Sequence, residues 1–589
     1  MLSSAFVVAG AAGCGGAPPR APGTPPSAPK PSAAPRLTAE RANAILVDAW
    51  KTRGVSPAPK CDDATFLRRV TIDITGTIPT VEETKSFLAD AAPDKRLKAV
   101  DRLLASNAYA DHWTNYWDDV LMGRDKRNQS VDRGAFRAWL RARFVKNERW
   151  DKFVFDLATA QGVNSLGGEK RAQMQMPVPG GKSEELEGSG VNGAVNFTLR
   201  FSDAPADLPS TLSRVFLGVQ IQCAQCHDHK TEKWKQTDFR GFAAAALHIK
   251  PEPVDKGPVM GVRRVDLVDN PRVFQRGKDA ETQLIAKAKP IALDGADLTQ
   301  GPNGQGTRKT FGTWLVSEKN PWFARAFVNR MWGHFMGRGF VDPVDDLRPS
   351  ATADAPALWE ALTNEFVASG FDVRALMKLI ASMDVYQVGT AKGTKPELWS
   401  RYRLVPLGPE ELLSALFRAT NLDEAAEKEG RLNLPAIRAQ LSKNFGFLFD
   451  VDEEFDSGDY EGSISQALML LNGNVTNVGS RAVSGTALDS ILASNRTTKE
   501  AVTAMYLRAL SRMPTAEEIA SASDYVDGAT AEPPATTGAG AERKKRGKGK
   551  ADPLTQLARK NPVTLDPKRA AYEDLYWALL NSSEFVFNH

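Results

Sequence analysis

A mainly α-helical protein, built as two helical parts joined by an irregular segment with a few short strands, is what this sequence predicts. Three observations carry the prediction. Apolar residues recur at three- and four-residue spacing over most of the chain beyond Leu37, Thr-x-x-Glu pairs mark helix starts, and the helical period breaks down between about 250 and 310. At 589 residues the chain is long enough for two or more domains with ordinary cores. A net charge of +4 over that length points to no particular class of partner.

Residues 1–36 read as a signal and tether. A short run of small apolar residues ends at Ala11-Ala12-Gly13-Cys14, and Ala, Pro, Gly and Ser dominate from there to Pro35. In the lipoprotein reading Cys14 is acylated, anchors the protein to a membrane, and the Pro-rich stretch is an extended spacer. The competing reading is an Ala/Pro tail with an incidental cysteine. Beyond it no stretch reaches the ~18 apolar residues a membrane span needs.

Residues 37–250 form the first helical part. Ala44, Ile45, Leu46, Ala49 and Trp50 share one helix face that stops at Gly54. Thr80 and Glu83 make a capping box, a device repeated at Thr515 and Glu518. Helical periodicity over about 97–125 places Trp113 and Trp117 on one core face, and a further helical stretch covers 134–161. The Gly-, Ser- and Pro-rich stretch from Gly162 to Gly193 reads as a long loop, and Leu212 to Val219 as a helix leading directly into the motif at Cys223.

Residues 251–310 read as an irregular linker or small β segment, because short apolar runs are split by Pro, Gly and Asp. Residues 311–589 form the second helical part. Helices are expected at Phe323–Met336, Ala357–Ala368, Val373–Met383, Glu410–Ala419, Ile464–Leu471, Glu500–Leu510 and Tyr572–Leu580. A low-complexity insertion at 528–553 carries Arg543, Lys544, Lys545, Arg546, Lys548 and Lys550. Without interleaved aromatic residues this reads as a solvated disordered loop, and nucleic acid is not an expected partner.

One motif names a chemistry. Cys223-Ala224-Gln225-Cys226-His227 is the CxxCH pattern of covalent c-type haem attachment, in a chain with only four cysteines and six histidines. Two thiols three positions apart can each bond one vinyl group of a porphyrin, and the adjacent imidazole of His227 then serves as axial iron ligand. Two alternatives stand beside it: a zinc or iron site in which His229 joins the three, and a redox dithiol of Cys223 and Cys226. Cys61 has no evident partner and reads as a buried, inert thiol.

If haem is bound, the sixth iron position decides between electron transfer and ligand chemistry. Met176 and His248 are the distal-ligand candidates, with Met174, His112 and His334 as the remaining options. Asp228 and His229 could tune the haem from nearby. Asp342, Asp345 and Asp346, flanked by Arg338 and Arg348, offer hard-cation oxygens, with ion pairing around a turn the more economical account. No GxSxG, Walker loop, HExxH or dinucleotide fingerprint is present.

Several stretches together resemble a known family. They are Phe66-Leu67-Arg68-Arg69 with Gly76, Pro79 and Thr80; Phe216 to His229 around the motif; Trp234 with Asp238-Phe239; Val328 to Trp332 with Gly337-Arg338-Gly339; Gln466-Ala467-Leu468 with Leu471-Asn472-Gly473; and Leu579 to Phe585. In these the chain resembles the planctomycete-type secreted cytochrome c-like family, in which a cytochrome-like domain precedes a companion domain of unassigned function. The resemblance spans about 37–589 and implies an exported, cytochrome-like protein, with no reaction or substrate attached.

The expectation is an exported periplasmic or cell-surface lipoprotein that holds haem c and passes electrons to or from a partner protein. A surface-tethered scaffolding protein with a structural Cys/His zinc or iron site is the second reading. A haem enzyme acting on an extracellular substrate is the third, so the sequence leaves open whether the protein is an enzyme.

Overall fold

The computed structural model describes residues 36–123, 128–166, 189–255, 262–275, 279–301, 304, 306–348, 350–390, 397–423, 425, 473–529 and 566–589. Helices dominate them. The first stretch carries α1 (Ala39–Arg53), α2 (Asp63–Thr75), α3 (Val81–Ala89), α4 (Lys95–Leu104), α5 (Asn107–Met122), α6 (Arg133–Val145), α7 (Trp150–Ala158), α8 (Val195–Arg200), α9 (Asp207–Leu217) and α10 (Gln236–Ala246). Next come α11 (Ala280–Ile285), α12 (Thr307–Leu315), α13 (Phe323–Met336), α14 (Pro356–Ala368), α15 (Val373–Ser382) and α16 (Pro409–Thr420). The last are α17 (Asn474–Gly479), α18 (Ala487–Ser494), α19 (Thr498–Leu510), α20 (Ala516–Asp527), α21 (Pro567–Leu580) and α22 (Ser583–Val586).

Local chemistry explains the helix ends. Gly54, with φ +66°, closes α1 in the left-handed conformation that glycine adopts without penalty. Both expected capping boxes form: the Thr80 hydroxyl accepts from the Glu83 amide while the Glu83 carboxylate accepts from the Thr80 amide, and Thr515 and Glu518 repeat the exchange. A third box, Thr497 with Glu500, starts α19. The helical stretches expected at 97–125 and 134–161 are each split in two. Ser106 caps α5 just after α4 ends, and Asn147 turns the chain at φ 48° between α6 and α7.

The strands are few and short. β1 (Gly162–Val163), β2 (Ile249–Pro253) and β3 (Val265–Asp269) form an antiparallel sheet in the order β1-β3-β2, with Pro251 opposite Leu267. β4 (Val405–Pro406) pairs with β5 (Phe587–Asn588).

Two apolar cores result, and they divide elsewhere than at 251–310. The first runs from Ala42 to Tyr402, and so takes side chains from both sides of that segment. The second gathers Leu407 to Phe585 together with Ile72 and Ile78. Helix α2 lies between them, with Phe66, Leu67, Val70 and Ile74 in one core and Ile72 in the other, which buries every residue from Phe66 to Thr75. No helix among the described residues is long and apolar enough to cross a membrane.

Candidate functional site

The CxxCH motif occupies its own turn. α9 ends at Leu217 and does not run into the motif as expected, because Gly218 adopts φ +64° and its carbonyl accepts from the Leu347 amide at 2.7 Å. There is no room for a side chain here, since a Cβ on Gly218 would fall 2.6 Å from Leu347 Cγ. Residues Gln222–Gln225 then form one 3₁₀ turn pinned by the fully buried Ala224. Cys223, Cys226, His227 and Asp228 are exposed around that pin.

Helix α10 braces the far side. The Asp228 carboxylate accepts from the Gln236 amide at 2.9 Å, the Gln236 side-chain amide donates to the Cys226 carbonyl at 2.5 Å, and the His229 amide donates to the Trp234 carbonyl at 2.8 Å. Trp234 itself is buried, packed edge-on to Trp322. The loop beyond the motif also meets the second part of the chain, where Ser350 donates to Glu232 at 2.9 Å.

The two histidines are held in opposite states. His227 Nδ1 lies 2.8 Å from the Asp228 carbonyl, which can only accept, so Nδ1 carries a proton and the lone pair of the neutral imidazole falls on Nε2. This is the arrangement ligating histidines commonly show. His229 Nδ1 instead accepts from the Thr231 and Glu232 amides at 3.3 and 3.0 Å, so its proton sits on Nε2 and neither nitrogen offers a free lone pair.

Other candidates are placed elsewhere. His248 follows the C-terminal end of α10 while the motif is braced at its N-terminal end, a separation of roughly 15 Å along the helix, too far for the second axial position of one iron. Its Nδ1 donates to the Asn270 carbonyl at 3.0 Å. His112 and His334 lie beside each other against the end of α2. Cys14, Met174 and Met176 lie outside the described residues, as do the expected helix at 464–471 and all but Gly528 and Ala529 of the basic insertion.

The acidic turn is an ion-pair cluster. Asp345 accepts from Arg214 at 2.5 Å and faces Arg330 at 3.5 Å, while Asp346 pairs with Arg348. Among the described residues no three His, Cys, Asp or Glu side chains are grouped to hold a metal ion. Cys61 is half-buried, short of the full burial expected.

Sequence reasoning missed a buried polar hub on α2. Arg68 donates to the carbonyls of Ala509, Glu584 and Phe585; Arg69 donates to those of Tyr386, Val388 and His589 and lies 3.6 Å over the Tyr402 ring. Asp73 accepts from Tyr386 Oη and Asn588 Nδ2, both at 2.6 Å. Desolvation pushes its carboxyl up to about 8, against the pull of Tyr386, Arg69 and Asn588. The signal was there in two adjacent arginines within the apolar run Phe66 to Ile74, but their partners lie hundreds of residues away.

Residues 41–250 match the PSCyt2 family model, described as a protein of unknown function (DUF1549), and residues 307–526 match the PSD1 model, a protein of unknown function (DUF1553). The chain thus carries two domains of unknown function whose pairing is known from planctomycete proteins, and neither description brings a haem or a reaction with it. No curated protein and no solved structure matches the chain.

Proposed function

We propose that the protein is an exported haem c carrier that exchanges electrons with a partner protein, with Cys223 and Cys226 as thioether anchors and His227 as axial ligand. The observation that carries this reading is the state of His227: an exposed imidazole, its Nδ1 proton engaged by the Asp228 carbonyl, its Nε2 lone pair left for a metal, on the same turn as two exposed thiols.

The donor set favours haem over zinc. A tetrahedral zinc site needs its ligands converging on one point, and here the four Cys and His side chains form no such group while His229 is committed to two backbone amides. Haem asks for no convergence, since its thioethers and its iron ligand attach at different places on the macrocycle. Bound haem would supply a one-electron couple. The chain's own contribution is to hold the turn through Ala224, Gln236 and Asp228 and to fix the His227 tautomer. Export and a lipid anchor at Cys14 belong to the same proposal, because c-type attachment takes place outside the bacterial cytoplasm.

The test is a pyridine haemochrome spectrum, with haem staining after denaturing electrophoresis, on protein exported from a host with the c-type maturation system. Haem retained by the native sequence and lost from a Cys223→Ala/Cys226→Ala variant is the expected result. Well-folded protein without haem would overturn the reading.

A further inference from the structure

The histidine pair between α5 and α13 has features its burial alone does not explain. His112, on α5, is buried, and its Nε2 has no hydrogen-bond partner. A buried nitrogen left so has given up its hydration for no partner and calls for an explanation. The Nδ1 side of the ring packs against Gly76, where a Cβ would fall 2.3 Å from His112 Nδ1. His334, on α13, donates from Nε2 to the Asp73 main-chain carbonyl at 3.0 Å, which leaves the lone pair on Nδ1. An imidazole whose second nitrogen donates to a backbone carbonyl is again the ligating arrangement.

The two rings sit 5.9 Å apart, centroid to centroid. Two imidazoles sharing one ion through facing nitrogens would have centroids about 6 Å apart, given metal–nitrogen bonds near 2 Å. Aromatic rings wall the pair, with Trp113 at 5.5 Å from His112 and 4.9 Å from His334, and Tyr116 at 5.6 Å from His334.

We propose that His112 and His334 form a two-nitrogen binding site for a single Cu(I) ion. Zinc would want four ligands, and no third His, Cys, Asp or Glu is grouped with the pair among the described residues. A dication would also bring two charges into a site with no carboxylate ligand, whereas Cu(I) brings one and accepts two imidazoles in line. Each of the two matched domains contributes one ligand, so the ion would bridge them. The inference is independent of the haem reading.

The experiment is an anaerobic titration of the full chain with Cu(I) against a chromophoric Cu(I) chelator, following tryptophan emission. Cys223 and Cys226 are blocked beforehand, by haem if it is present and otherwise by alkylation, so that the motif thiols hold no copper. Expected are one retained equivalent per chain, quenching of emission, and an X-ray absorption first shell of two nitrogens without sulfur. His334→Gln, which keeps an amide donor for the Asp73 carbonyl, and His112→Leu should each lose the retained copper. Folded parent protein that retains none, a shell containing sulfur, or full retention by folded His334→Gln would overturn the proposal.

Discussion

Replacing Arg69 by methionine tests whether the hub on α2 holds the C-terminal segment in place. Arg69 is fully buried and donates to three carbonyls, those of Tyr386, Val388 and His589, while its guanidinium faces the Tyr402 ring at 3.6 Å. Methionine fills much of the volume and removes every donor. Three carbonyls lose a charged partner at roughly 1–2 kcal/mol each, and the ring contact adds about 1 kcal/mol, for a loss of about 5 kcal/mol. Asp73 also loses the cation that favours its ionised form. For a cooperative unit near 500 residues this lowers the melting temperature by about 5 °C. Amide exchange at Phe587 and Asn588, which pair with β4, should accelerate more than exchange in α1. Arg69→Lys keeps the charge but not the planar fork that reaches three acceptors, and should fall between. A methionine variant melting within about 1 °C of the parent, with β5 exchange unchanged, would refute the reasoning.

Three further outcomes follow from the same geometry. Asp73 has a folded-state pKa of about 8, above the usual 3.8, so its contribution to stability is full below about pH 4 and is lost progressively as pH rises to about 8, at about 1.4 kcal/mol per pH unit. Asp73→Asn should flatten that part of the stability–pH curve in denaturant melts, and an unchanged slope would count against the assignment. Gly218→Ala meets both a left-handed φ and Leu347, and should cost roughly 2–4 kcal/mol. Gly54→Ala, with a similar φ and nothing within 4 Å, should cost only about 1 kcal/mol, so equal melting shifts would remove the steric argument. Thr80→Ala opens the capping box of α3 and should cost about 1 kcal/mol in thermal melting, with Thr80→Ser restoring most of it.

The helices and their ends were legible because the forces that set them are local. The expected helix at Phe323–Met336 has the observed bounds, and Gly54, Thr80 and Thr515 cap where a reader of three or four neighbouring residues would place them. The breaks at Ser106 and Asn147 were harder to read, since the apolar period continues across them.

The CxxCH motif was equally plain, yet the sequence alone assigned His227 and His229 no different state. Their tautomers depend on which backbone groups the folded turn brings to Nδ1, a carbonyl for one and two amides for the other. Cys61 and His248 show the same limit, since burial and distance are products of packing.

By itself, then, the sequence determined a helical protein, the places where most of its helices begin and end, and one Cys-x-x-Cys-His motif. Only the tertiary structure decided where the cores divide, why Arg68, Arg69 and Asp73 are buried in α2, and that His112 meets His334. Helix periods and caps are settled by bonds reaching three or four residues. A buried charge or an imidazole pair is settled by partners hundreds of residues away, which no local pattern records.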